Sequence, residues 1–292
     1  MTISTPVISV DVEDWLQSTW DHNLPITRRA ADNTLRLLEI LDGCGTKVTT
    51  FVLGKFCEVF PHIVREIDKA GHEVASHGYG HIQLFNQSPS EFAEDVKRSK
   101  DLLEQTIGKP VRGYRAPDFS ITHKTLWALG VLTECGFEYD SSIFPIRHPR
   151  YGIDDWPSQP VRVILPDRGS IVEFPIGTFR LFGRNWPIGG GGYHRLLPGS
   201  VARWLVRRVL GRGPFVFYCH PYEFDPKEFA EISILVPRKT SIHQGFGRRW
   251  FKARFHAFVR EFSGQRMMDL FDSRKWPDWN CVDKLNKFDR AG

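Results

Sequence analysis

The sequence predicts an α/β protein whose parallel βα units wrap as a barrel or a doubly wound sheet. Short apolar runs rich in β-branched residues alternate with longer segments of helical period. Acidic residues, histidines and an arginine stand at the ends of those runs, where parallel architectures gather their sites. The length, 292 residues, allows one or two domains, and α/β barrels often fill it as one unit.

Val7-Ile8-Ser9-Val10 is a short buried strand ending in an acidic cluster, and a helix follows from about Thr27 to Leu41, with Leu35, Leu37, Leu38 and Leu41 as its apolar residues. A second strand, Lys47 to Leu53, stops at Gly54. A helix from Pro61 to Ala70 ends at Gly71, and Glu73 to Ser76 is a third strand leading into His77. Ser88-Pro89-Ser90-Glu91 opens a helix that places Phe92, Val96, Leu102 and Leu103 near one side. Further strands are expected around Val111–Tyr114, Phe137–Asp140, Val161–Leu165, Ile171–Phe174 and Phe215–Tyr218. Four glycines before Tyr193 give that loop backbone freedom.

Composition excludes several classes. Hydrophobic residues make up 41% and charged residues 25%, the balance of a soluble globular chain. No apolar run reaches the length of a spanning helix, and the amino terminus lacks the basic-then-apolar pattern of a secretory signal. Cys44, Cys57, Cys135, Cys219 and Cys281 are odd in number and without CxxC spacing, which fits reduced thiols in the cytoplasm. The net charge of +5 comes with no nucleic-acid-binding motif, so no nucleic-acid partner is expected.

His77 and His81, four residues apart, can share one face of a helical turn and grip one metal ion. Asp11, Glu13 and Asp14 would repel one another at a strand end unless a cation or an arginine compensates them. An alternative is a solvated turn in which Asp14 caps a short helix. Two histidines and a carboxylate leave positions open for water and substrate. Arg115 and His220 each follow a strand; read alone, either is equally a structural residue.

Taken in order, these segments resemble the NodB-homology polysaccharide deacetylases, carbohydrate esterase family 4. The resemblance runs from about residue 7 to 226, leaving about 227–292 as a C-terminal extension of a single catalytic domain. It covers Asp11–Asp14, Thr50-Phe51-Val52-Leu53-Gly54, Gly71–His77 with His81, Arg115-Ala116-Pro117, Tyr139-Asp140-Ser141-Ser142 and the motif ending in His220. The glycine loop and the aromatic-basic tail are similar to the exopolysaccharide- and exosortase-associated subgroup. The family implies a distorted (β/α) barrel with fewer than eight regular units, carrying a C-terminal helical extension packed on it. It also implies Asp11 as catalytic base and His77 and His81 as metal ligands. The family's third ligand is an Asp directly after the base, where this chain has Val12. Glu13 serves if the chain stays extended, since it then projects to the side of Asp11; Asp14 serves if the chain turns early. Gly78 is a second departure, because Ser or Thr often stands there.

The chemistry implied is amide hydrolysis on an N-acetylated sugar, assisted by a divalent metal, most simply Zn2+, with Co2+, Ni2+ or Fe2+ as alternatives. Asp11 takes the proton of the attacking water. Arg115 orients Asp11 and keeps it ionised, the Asp118 N–H meets the oxyanion, and His220 protonates the departing amine. Trp156 and Tyr193 are candidate sugar contacts, with core packing and a tight turn as the alternatives.

Two basic-aromatic segments, one with Val201, Trp204 and Leu205 among Arg203, Arg207, Arg208 and Arg212, the other from Trp250 to Phe262 with Arg248, Arg249, Lys252 and Arg260 nearby, read either as helices packed on the barrel or as a peripheral docking surface for the inner membrane. Competing functions are an allantoinase-like amidohydrolase acting on a small amide, and a carbohydrate-binding relative without turnover.

Overall fold

The computed structural model describes residues 4–232 and 234–280. Strand β1 (Val7–Val12) is buried throughout and lies in parallel between β2 (Thr49–Val52) and β10 (Val216–Cys219). Next to β2 come β3 (Glu73–Ser76), β4 (Gly113–Tyr114) and β5 (Tyr139–Asp140), all parallel. Beyond β5 the alternation breaks. β7 (Gly169–Glu173) pairs in parallel with β5, but β6 (Val161–Leu165) joins β7 as an antiparallel hairpin, and β11 (Asp278–Asn280) closes the order on β6. The other edge, along β10, is covered by two connecting segments: Gly177 N donates to Val216 O (3.0 Å) and Tyr218 N to Gly189 O (2.7 Å). The result is a mostly parallel α/β sheet, the distorted barrel-like arrangement expected from the sequence.

The outer helices follow from local signals. Helix α1 (Arg28–Gly43) buries Leu37, Ile40 and Leu41, while Leu35 faces solvent. Helices α2 (Gly54–Val59) and α3 (Pro61–Lys69) cross from β2 to β3, and α3 turns Ile63, Val64 and Ile67 inward. Helix α4 (Pro89–Ile107) has the full capping box: Glu91 N donates to Ser88 Oγ, Ser88 N donates to the Glu91 carboxylate, and Gly108 ends the helix at φ 69°. Helix α5 (Ala128–Glu134) precedes β5. A two-stranded hairpin, β8 (Thr178–Leu181) with β9 (Arg184–Pro187), stands apart from the main sheet. The sequence reading had placed no element there.

The glycine run leads into α6 (Gly191–Leu196), and close approach explains it. A Cβ on Gly190 would meet the Tyr218 ring at 2.8 Å, and one on Gly191 would meet the Glu223 carboxylate at 2.5 Å. Helix α7 (Gly199–Leu210) buries Ala202, Val206, Val209 and Leu210 but leaves Val201 and Trp204 outside. The extension comprises α8 (Glu228–Glu231), α9 (Arg238–Gly245), α10 (Arg248–Phe262) and α11 (Met267–Asp272). The inward stripe of α10 packs Phe258 on Phe217 and Phe251 on Phe224. Arg254 is tied down as well, donating to the carbonyls of His194, Arg195 and Leu197. No helix among the described residues is long and apolar enough to cross a membrane. Cys44, Cys57, Cys135 and Cys219 are free thiols; Cys281 lies outside the described residues.

Candidate active site

Asp11 lies near the carboxyl end of β1 and Glu13 one residue past it, with Val12 between them turned into the apolar core. Strand alternation thus sends both carboxylates to one side. Asp14 is engaged elsewhere. Its Oδ1 accepts from Leu16 N (2.9 Å), and its Oδ2 accepts from Thr27 N and Thr27 Oγ1 (2.6 Å each). With both oxygens taken, it caps the following helical turn and ties down the start of α1. Asp14 is therefore corrected from candidate ligand to capping residue.

His77 follows β3, but residues 77–81 form a loop and not the helical turn expected. Gly78 has φ 73° and His81 φ 60°, and the Asp95 carboxylate of α4 catches the loop through Tyr79 N (2.8 Å) and Gly80 N (3.3 Å). A Cβ at residue 78 would come within 2.8 Å of that carboxylate, which accounts for glycine there. Both imidazoles turn Nε2 toward one oxygen, Glu13 Oε2, at 3.4 Å from His77 and 2.9 Å from His81.

The residues fit a metal ion. One donor atom from each of Glu13, His77 and His81 lies within 4.8 Å of the other two, and all three residues are buried. His77 Nδ1 donates to Arg115 O (2.8 Å), which fixes the ring with Nε2 turned toward Glu13. Burial opposes charge on Glu13, yet the field of His81 and the hydrogen bonds of both imidazoles hold its carboxyl well below the usual carboxylate range.

Arg115 is fully buried and donates to Asp11 Oδ1 at 2.7 Å. It is held in turn by Ser9 Oγ, Ser141 O and Ser141 Oγ at 2.8–2.9 Å, with its guanidinium over the Phe51 ring. His220 follows β10 and brings Nε2 to 3.9 Å from Asp11 and 3.7 Å from Glu13. Its Nδ1 donates to Glu223 Oε1 (3.0 Å), and Glu223 Oε2 pairs with Arg195 of α6 at 2.8 Å. Burial alone would lower the His220 pKa. The Glu223 hydrogen bond, with the fields of Glu13, Glu223 and Asp11, outweighs it and raises the value to about 8. Glu223 and Arg195 were missed in the sequence. The signal for Glu223 was its place three residues after His220, the spacing of a capping box.

Asp11, Glu13, His77, His81, Arg195, His220 and Glu223 line one cavity of about 210 Å³ together with Asp118, Arg150, Tyr151, Tyr218, Tyr222 and Gln244, while Arg115 is buried behind Asp11. Asp118 sits at φ 52° and accepts from Gln83 Nε2 at 2.7 Å. Gln244 comes from α9, so the extension supplies part of the wall. Tyr193 lies behind that wall, hydrogen-bonded to Tyr151 and packed edge-on against Phe144. Trp156 is corrected outright: it is 3% exposed and packs on Trp279 at 4.2 Å between ring centroids, so it is a core residue.

Residues 13–139 match the family model described as polysaccharide deacetylase, and residues 141–272 match a domain of unknown function, DUF3473. Glu13, His77, His81 and Arg115 fall in the first match, and Arg195, His220, Glu223 and Gln244 in the second.

Among curated relatives, a peptidoglycan deacetylase-like protein of Gibberella zeae is 37% identical over 110 residues, covering 37% of this chain and 32% of its own length. A chitooligosaccharide deacetylase of Azorhizobium caulinodans is 29% identical over 189 residues, covering 62% of this chain and 83% of its own. The chain spans about a third of the length of the first curated relatives it matches. A solved polysaccharide deacetylase structure from Mycobacterium smegmatis superposes with a TM-score of 0.60 at 23% identity, covering 92% of this chain and 90% of the other. The chain is thus similar to polysaccharide deacetylases over residues 13–139, and the solved structure is alike in fold.

Proposed function

We propose that this protein is a metal-dependent hydrolase that removes N-acetyl groups from amino sugars of a bacterial polysaccharide or glycolipid precursor. One observation carries the reading: Asp11, backed by the buried Arg115, and His220 with Glu223 flank the Glu13–His77–His81 donor set in a single cavity. A divalent metal held by those three residues, most simply Zn2+, supplies Lewis acidity that polarises the acetyl carbonyl and eases deprotonation of water.

Asp11, fixed by Arg115, takes the proton of the attacking water. The backbone N–H of Asp118 is the candidate donor to the oxyanion. His220, held on Glu223, delivers its proton to the departing amine; acid–base help of this kind is worth roughly 100- to 10,000-fold. The substrate is an N-acetylated glycan of the exopolysaccharide type, and peripheral contact with an anionic membrane, where a lipid-linked glycan would be met, belongs to the same reading. Residues 1–292 act as one catalytic unit.

Metal content of the purified protein and of His77→Ala tests the proposal, together with turnover of an N-acetylated chitin oligomer and of allantoin. About one equivalent of metal, lost in the variant, with acetate released from the oligomer is the expected result. Turnover of allantoin alone would transfer the site to small amides, and bound metal with neither turnover would make the chain a carbohydrate-binding relative.

A further inference from the structure

The β8–β9 hairpin takes no part in the chemistry above, yet its tip is built at a cost to folding. Phe182 is 91% exposed and adopts φ 50°, followed by Gly183 at φ 75°. Two successive positive φ values suit Asn-Gly or Gly-Gly turns, and a bulky aromatic at the first position is strained. The strained side chain contacts solvent, so packing gives nothing in return.

The tip continues into a wider surface. Phe179 stands opposite Trp186, and Leu181 opposite Arg184, so these four side chains share one face of the hairpin. Phe179 also meets Trp204 of α7 (ring centroids 6.2 Å apart), and the Arg208 guanidinium lies over Trp204. Trp186 is 53% exposed and Trp204 45%. The charge around these rings has one sign: no Asp or Glu occurs between Phe174 and Tyr222. Arg203 and Arg207 share Glu261, whereas Arg180, Arg184, Arg208 and Arg212 have no carboxylate partner among the described residues.

We propose that this hairpin, with the adjoining face of α7, docks the protein on an anionic lipid bilayer. Phe182 and Trp186 enter the interface, and the unpaired arginines meet lipid phosphates. Aromatic side chains at a protruding tip, ringed by cations and free of acidic groups, match the apolar boundary and negative potential of such a surface. A glycan-stacking face would pair its rings with carboxylate acceptors for sugar hydroxyls, and no Asp or Glu occurs between Phe174 and Tyr222. The inference rests on the membrane contact proposed above and gives it a location; it does not depend on the deacetylation chemistry.

Vesicle flotation tests it, with neutral phosphatidylcholine vesicles and vesicles that also contain phosphatidylglycerol. The proteins are wild type, Phe182→Asn and the Arg180→Glu/Arg184→Glu double variant. Asn accepts the left-handed conformation better than Phe, so Phe182→Asn is expected to keep or raise Tm, which separates lost docking from lost folding. Wild type is expected to float only with anionic vesicles, with affinity reduced about tenfold in Phe182→Asn and by more in the double variant. Turnover of a soluble oligomer should be the same in all three. Equal flotation of wild type and Phe182→Asn, or no flotation of wild type with either vesicle, would overturn the proposal. Inactivity of all three on the oligomer would instead count against the deacetylase reading and leave the vesicle result standing.

Discussion

His220 owes its charge to its neighbours. Burial pulls its pKa down, and the carboxylates of Glu223, Glu13 and Asp11 bring it back up to about 8. A group raised in this way holds its proton below that value and loses it as pH rises through it, so in the proposed mechanism His220, as proton donor, is expected to set the alkaline limb of activity. Glu223→Gln removes one anion and the strongest hydrogen bond to the ring. The expected result is a kcat lowered by about 100-fold, with the alkaline limb displaced to lower pH, read from a kcat profile between pH 6 and 10. Asp11, His77, Arg115 and His220 were legible in the sequence because each stands at or just past the end of a strand-like run, and His81 through its spacing from His77. The choice between Glu13 and Asp14 depended on where the chain left the extended conformation. Arg195 and Gln244 were not legible at all: they reach the cavity from helices packed on the barrel, and no local pattern records such contacts.

Helix α11 docks on the amino-terminal end of the barrel through two buried acceptors. Met267 N donates to Thr49 Oγ1 (2.6 Å) and Met268 N to Glu73 Oε2 (3.0 Å). Burial raises the Glu73 pKa from its ordinary 4.5 to about 7, against the opposing hydrogen bonds from Thr49 and Met268. An acid whose pKa rises on folding favours the native state below its unfolded value, and that contribution is lost as pH climbs through about 7. Glu73→Gln, which carries no charge to bury, is therefore expected to raise stability at pH 8 by up to about 3 kcal/mol and to change little at pH 5, as measured by denaturant unfolding at both values.

At the same scale, capped and amphipathic helices such as α4 and α10 were read correctly, since their signals are local. The β8–β9 hairpin was missed because Phe182-Gly183 lacks the Asn or Asp that usually marks such a turn and its strands mix Arg, Asn and Trp. The helical reading of 77–81 failed on Gly78 and on Asp95, a residue of α4.

One nine-stranded sheet spans both matched segments: β10 pairs with β1, and β7 with β5. The extension is joined to it by the aromatic stripe of α10 and by Arg248, which is buried and bound to Glu228 (2.5 Å) and Tyr222 O (2.9 Å). A chain ended after residue 226 would leave Phe217 and Phe224 uncovered. It is expected to lose cooperative thermal unfolding and to be recovered mainly as aggregate, which calorimetry and size-exclusion chromatography would check.

The seam between the two matched segments falls at residue 140, inside β5, a strand hydrogen-bonded to β4 on one side and β7 on the other. A genetic exchange there would cut a strand in the middle of the sheet and part His77 and His81 from His220. The second segment is thus poorly suited to travel as a cassette between proteins. Substitutions in it have to be accepted in place, by a sheet whose strands from both segments are hydrogen-bonded side by side.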